Sequence, residues 1–213
     1  MEHEFWHRKW ETNEIGFHQE AFNPHLVKHF SVLQLAGGSC VFVPLCGKTR
    51  DIHWLLDQGF RVVGVELSEL AVQQLFANLS LTPEIENVGA LRRYRAPGLD
   101  VLVGDFFALS PDLVGEIDAV YDRAALVALP PAMRDQYAAH LTRLAAGASQ
   151  LLVSFAYDQH AMPGPPFCVP GDEVTGHYGA EYHIRLLDSV PVEGGLKGVC
   201  AADEQVWLLQ AAG

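Results

Sequence analysis

Four short apolar runs in this chain each end in residues able to hold a ligand. The first, Cys40 to Val43, leads into Pro44-Leu45-Cys46-Gly47-Lys48-Thr49. Gly47 carries no Cβ and lets a ligand approach the backbone closely; the same turn also reads as a tight helix start. The second, Arg61-Val62-Val63-Gly64-Val65, ends in Glu66, nineteen residues after Gly47. A carboxylate at that place in a nucleoside-binding α/β fold accepts both hydroxyls of a ribose, or else it is a solvated strand-end acid. The third, Leu99 to Val103, is followed by Gly104-Asp105-Phe106-Phe107. There an acid can bond an adenine amino group and an aromatic can cover the ring, or the two are a turn acid and core aromatics. The fourth ends in Tyr121-Asp122-Arg123. A guanidinium binds carboxylates bidentately, so Arg123 faces a ligand or pairs with Asp122. Asp122 itself is read as structural.

Other chemistries are weaker. The fingerprint Gly-x-Gly-x-x-Gly is absent from the first turn. A phosphate-binding loop would need a glycine five positions before Gly47, where Phe42 stands. Cys46 is read as a small buried thiol rather than a nucleophile. Of ten histidines, His3 with His7 and His25 with His29 are four apart and share helix faces. No His-Glu-x-x-His or Cys/His zinc spacing accompanies them, so the reading is a His-rich surface and no metal.

Positioning these groups requires alternating strands and helices. Thr49 to Gln58 has helical spacing and stops at Gly59. Ser68 caps a second amphipathic helix. Leu91 to Arg95 and Leu99 to Val103 are strands around Pro97-Gly98, and Ile117 to Tyr121 is another. Pro130-Pro131 opens a helix to about Ala146, with Gly147 as its stop; Gln150 to Tyr157 is a strong strand. Tyr182 to Asp188 and Glu204 to Gln210 alternate as an antiparallel pair. The expected fold is a doubly wound α/β sheet closed by antiparallel strands. Ahead of it lies an aromatic leader, residues 1–30, with a helix opening at Pro24.

Composition bounds the rest. The 213 residues, 49% hydrophobic and 19% charged, suit one globular domain, 1–213. Fourteen basic against 26 acidic residues give a net charge of −12, which repels nucleic acid and anionic lipid. No apolar run is long enough to span a membrane, and the start, Met1-Glu2-His3-Glu4-Phe5-Trp6, lacks the order of a secretory signal. Four scattered cysteines then read as reduced thiols in a cytoplasmic protein. Nothing demands assembly, so a monomer is expected.

The sequence resembles the thiopurine S-methyltransferase family. The resemblance rests on Val43-Pro44-Leu45-Cys46-Gly47-Lys48, Gly64-Val65-Glu66-Leu67-Ser68 and Tyr121-Asp122-Arg123-Ala124-Ala125-Leu126-Val127-Ala128-Leu129-Pro130. Phe5-Trp6, Trp10, Gly16-Phe17-His18 and Gly164-Pro165-Pro166-Phe167-Cys168-Val169-Pro170 extend it over residues 4–170. It implies a Rossmann-like methyltransferase sheet with an N-terminal helical lid and S-adenosyl-L-methionine as cofactor. By the resemblance, Trp10, Leu45, Glu66 and Arg123 bind the cofactor, with Asp105 and Phe106 against its adenine. Gly47 joins the cofactor side. Phe17, Pro166 and Phe167 are expected on the substrate side, and Arg123 is also the one catalytic candidate. Residues 1–22 and 158–170 are expected to act as lids. The acceptor would be a thiopurine or other heterocyclic thiol.

One departure bears on that acceptor. A basic stretch near the family's C-terminus is here Glu193-Gly194-Gly195-Leu196-Lys197-Gly198, with one cation left. This keeps small thiols and selenium or tellurium oxyanion derivatives in view as acceptors. Two other classes remain: a nicotinamide-dependent oxidoreductase, which the lone Gly47 disfavours, and a non-catalytic nucleoside-binding module.

Overall fold

The computed structural model describes residues 3–212; Met1 and Glu2, at the start of the expected lid, and Gly213, at the end of the expected domain, lie outside the described residues. In chain order the regular elements are α1 (His3–Glu11), α2 (Pro24–His29), β1 (Cys40–Val43), α3 (Arg50–Asp57), β2 (Arg61–Glu66) and α4 (Glu69–Asn78). β3 (Glu84–Val88), β4 (Leu91–Ala96), β5 (Leu99–Val103), α5 (Pro111–Val114) and β6 (Ala119–Arg123) follow. The chain ends with α6 (Pro131–Ala145), β7 (Ser149–Tyr157), α7 (Gly171–Tyr178), β8 (Tyr182–Pro191) and β9 (Ala202–Ala211).

One nine-stranded sheet runs β3-β4-β5-β2-β1-β6-β7-β9-β8. Its centre, β5-β2-β1-β6-β7, is parallel. The strand order reverses about β1, so the carboxyl ends of β1, β2 and β6 meet where such sheets bind ligands. β1 is buried on both faces, as a wholly apolar run requires. Phe42 joins a core with Leu126, Tyr137, Leu141 and Val174 on one side of the sheet. Val41 and Val43 face the other core, with Ile52, Leu55, Leu75 and Phe76.

The helix starts follow the capping residues. The Thr49 side chain accepts from the Asp51 N–H and that of Ser68 from the Ala71 N–H. Asn23 accepts from the His25 and Leu26 N–H groups, with Pro24 in the first turn of α2. The expected C-terminal pair forms: β9 runs antiparallel to β7, and β8 antiparallel to β9.

Several features differ from the sequence reading, among them the short α5 opened by Pro111. β3 is an extra antiparallel edge strand beside β4; its Glu-Ile-Glu-Asn-Val run is almost wholly exposed and has no apolar face to announce it. α7 is a further helix, whose Val174 and Tyr178 are buried one turn apart, while Gly171 and Gly176 dilute its helical signal. The left-handed residue that ends α6 is Ala146, one position before the expected Gly147.

Candidate active site

The turn after β1 is held against the end of β2. The Cys46 N–H donates to the Val65 carbonyl at 2.9 Å. One Glu66 carboxylate oxygen accepts from the Gly47 N–H at 2.8 Å, and the other accepts from the Ser68 N–H at 2.8 Å. Glu66 is thus a buried acid fixed by two backbone donors. Burial raises its pKa, and the donated N–H groups of Ser68 and Gly47 oppose that shift. A carboxylate has about four lone-pair sites, so acceptor capacity remains for a diol. Two non-glycine residues in left-handed backbone, Leu45 (φ 47°) and Ala124 (φ 62°), stand in the turns after β1 and β6. Strained turns of this kind gather at ligand sites.

Glu66 opens into a cavity of about 660 Å³, within the range of small-molecule sites. Its wall includes Trp10, Phe17, Leu45, Gly47, Glu66, Arg123 and Pro166, which sequence reasoning had singled out separately. Trp10 is buried, its ring 5.5 Å from that of Phe17. A Cβ on Gly47 would meet the indole of Trp10 at 3.0 Å, and φ there is +53°. Glycine is therefore what allows α1 to lie against the turn. Cys46 is buried, and burial pushes its thiol well above the usual range, as a structural thiol requires.

Arg123 has no carboxylate within 4 Å among the described residues. The expected alternative, an ion pair with Asp122, does not form. Asp122 instead accepts from the Tyr137 hydroxyl at 2.7 Å and the Leu126 N–H at 3.1 Å. It is structural, as expected, but through a phenol and an amide. Burial raises its pKa to about 6, against those two donors.

Three other sequence candidates lie outside the cavity wall. Asp105 accepts from the Phe107 N–H at 2.9 Å, and His3 of α1 sits 3.5 Å from it. Phe106 is buried with Tyr137 and His140, its ring centroid 4.8 Å and 4.9 Å from theirs. Phe167 turns from the cavity toward Arg134, whose guanidinium lies 5.8 Å from its ring, and its N–H donates to the Val127 carbonyl.

Other wall residues escaped the sequence reading as site groups. Burial lowers the pKa of His18, and the positive charges of Lys48, Arg123 and Arg50 add to that shift while Glu20 opposes it. Lys48 donates to Gln74 at 2.9 Å; Lys197, the one cation of the 193–198 segment, donates to the Pro165 carbonyl at 2.6 Å. Glu204 reaches the wall from β9 and contacts His25 at 3.1 Å. No local pattern marks Lys197 and Glu204, because they reach the cavity wall only through the docking of the last hairpin.

Solved structures share this architecture at low sequence identity. A TehB-like SAM-dependent methyltransferase from Corynebacterium glutamicum superposes with TM-score 0.59 at 15% identity, over 98% of this chain and 97% of that one. A Burkholderia thailandensis 1,6-didemethyltoxoflavin-N1-methyltransferase, solved with S-adenosylhomocysteine, gives TM-score 0.67 at 16% identity over 98% and 87%. The fold is that of the S-adenosylmethionine-dependent methyltransferases. The buried acid at the end of β2 and the roomy cavity beside it fit that cofactor's ribose.

Sequence comparison narrows the class. The family model "Thiopurine S-methyltransferase (TPMT)" matches residues 1–212, and the chain belongs to that family. A thiopurine S-methyltransferase of Xanthobacter autotrophicus is 57% identical over 213 residues, covering all of both chains. One from Pseudomonas aeruginosa is 47% identical over 216 residues, covering 99% of each. The protein is an S-adenosylmethionine-dependent methyltransferase. No described helix is long and apolar enough to cross a membrane.

Proposed function

We propose that this enzyme moves the methyl group of S-adenosylmethionine to the sulfur of a thiopurine or related heterocyclic thiol. One observation carries the reading. A single cavity joins the buried Glu66 to an aromatic wall and to three cations, Lys48, Arg123 and Lys197, that lack a carboxylate partner among the described residues. Four Lys/Arg (Lys9, Lys48, Arg123, Lys197) against three Glu (Glu14, Glu66, Glu204) leave the wall slightly positive in a chain of net charge −12, which favours an anionic acceptor such as a thiolate.

The cofactor supplies an activated methyl group on a sulfonium. Glu66 would accept its ribose hydroxyls, with Leu45, Gly47 and Trp10 packing against it. Asp105 and Phe106 would enter from the neighbouring strand end, where His3 of the leader now sits. Phe17, Pro166 and the loop carrying Phe167 would hold the acceptor. Thiolates are strong nucleophiles, so the chain has little acid–base work to do. Its contribution is alignment and exclusion of water. Arg123 would stabilise the thiolate. The leader and the 158–170 segment would cover the cavity as lids.

We further infer one methyltransferase domain acting as a monomer in the cytoplasm. The test begins with calorimetric titration of S-adenosylhomocysteine, with NAD as control, followed by turnover of 6-mercaptopurine. Micromolar binding of the first ligand, none of NAD, and methylated thiopurine are expected. Binding without thiopurine turnover, but with methylation of selenite-derived species or small thiols, would transfer the acceptor to those compounds. The retention of Lys197 alone in segment 193–198 is the observation favouring that second reading. Binding with no turnover of any acceptor would leave a nucleoside-binding module.

A further inference from the structure

Behind the cavity wall, which Glu204 shares, two imidazoles and a carboxylate converge between α2 and the C-terminal hairpin. His25 and His29 lie one turn apart on α2, with rings close to parallel at 18° and centroids 6.3 Å apart. Asp188 comes from β8, where the register with β9 shifts between Leu186 and Asp188. A bulge of this kind re-aims a side chain. The His29 Nε2 is 3.0 Å from Asp188 Oδ2. One ligand atom from each of His25, His29 and Asp188 lies within 4.8 Å of the others. His25 also meets Glu204 of β9 at 3.1 Å, so a second carboxylate adjoins the group.

We propose that His25, His29 and Asp188 form a binding site for a zinc-class divalent transition-metal ion, with Glu204 available as a fourth ligand. Two imidazoles and carboxylate oxygen suit Zn²⁺, Co²⁺, Ni²⁺ or Cu²⁺ better than Mg²⁺ or Ca²⁺. Bonds of about 2.0–2.1 Å place neighbouring ligand atoms of a tetrahedral zinc roughly 3.3 Å apart. The three ligand atoms already lie within 4.8 Å of one another. The supports are rigid. α2 is capped by Asn23, whose N–H donates to the buried Asp51 at 2.7 Å. β8 is paired along its length with β9.

The Asp188 carboxylate already receives one cation, Lys28. Lys28 donates to the same oxygen that His29 meets. A divalent ion would take the place that the Lys28 ammonium now holds beside this carboxylate. That ammonium is exposed and free to turn into water. Bound there, the ion clamps α2, and through it the leader, to the sheet edge formed by β8 and β9.

The test is titration of the chelator-stripped full chain with ZnCl₂, and separately with CoCl₂. One equivalent of Zn²⁺ is expected at micromolar affinity or tighter, with a rise in melting temperature. Co²⁺ should give the visible bands of four-coordinate nitrogen and oxygen ligation. His29→Ala and Asp188→Asn should each weaken Zn²⁺ roughly ten-fold or more. Lys28→Ala, a surface change that leaves folding intact, should tighten it several-fold. His177→Ala, at the separate contact of His177 and Glu173 on α7 with Asp135 on α6, should change nothing. The proposal is overturned by absence of binding, by thiolate-to-cobalt absorption, by unchanged affinity in Asp188→Asn, or by Lys28→Ala leaving affinity unchanged or weaker. Titrating S-adenosylhomocysteine into the same samples keeps this result distinct from cofactor binding.

Discussion

The ends of β2 and β6 each deliver a buried acid to the same edge of the sheet, and the two acids have different fates. Glu66 is held by two backbone N–H groups and still faces the cavity. Asp122 is sealed by the Tyr137 hydroxyl and the Leu126 amide, beneath the segment that follows it. A strand-end carboxylate therefore becomes a binding group only where the next stretch of chain leaves it open. After β2 the chain turns away at Ser68 into α4. After β6 it folds back over Asp122 through Leu126 to Ala128 and exposes Arg123 in its place.

The largest test of this contrast is Glu66→Ala. Losing two charge-assisted hydrogen bonds to a ribose, at about 2 kcal/mol each, should weaken S-adenosylhomocysteine roughly 1000-fold by calorimetry. A loss below about ten-fold would place Glu66 outside the nucleoside site.

Asp122 should instead be read in stability. Its folded-state pKa of about 6 lies above the 3.8 usual for an aspartate, so the folded chain holds this proton more tightly. That stabilisation is complete below pH 3.8 and is lost as pH rises through about 6. At about 1.4 kcal/mol per unit this is about 3 kcal/mol. Asp122→Asn should erase it, so denaturant curves of the two proteins should diverge by about that amount between acidic and neutral pH. Parallel curves would mean that Asp122 carries no buried-charge cost.

Arg123→Ala should lower kcat/KM for a thiopurine by roughly 30-fold, about 2 kcal/mol of lost charge-assisted contact. Arg123→Lys should recover only part, since lysine cannot present a planar fork. Full turnover in the alanine variant would remove Arg123 from the reaction. The smallest effect is at Gly47→Ala. Its left-handed φ and the contact with Trp10 predict about 1–2 kcal/mol of destabilisation, seen as a lowered melting temperature. No change would show that α1 yields easily.

Much of the central fold was legible because its signals are local. The apolar runs of β1 and β2, the helical spacing from Thr49, the cap Ser68, and the prolines opening α2 and α6 all act within a few residues. β3 was invisible because an edge strand exposed on both faces needs no apolar pattern. Glu66 and Arg123 were legible from position alone, as strand-end groups next to the switch in strand order. Lys197 and Glu204 were not, since their place on the cavity wall depends on how the last hairpin docks. The same applies to His25 and His29: their four-residue spacing was plain, but the carboxylate that meets His29 lies 159 residues away. Trp10 and Leu45 came from family resemblance, and no spacing rule would have found them.

The two outer strands of the sheet carry a further consequence for how the molecule behaves in a crowded solution. An open sheet edge is a template for any other extended chain. β3 presents Glu84 and Glu86 on one edge, so a second copy would bring like charges together. β8, on the other edge, carries a register shift at Leu186 to Asp188 and ends at Pro191, which has no N–H to donate. The irregularity that aims Asp188 toward α2 thus also spoils the ladder for strand-by-strand aggregation.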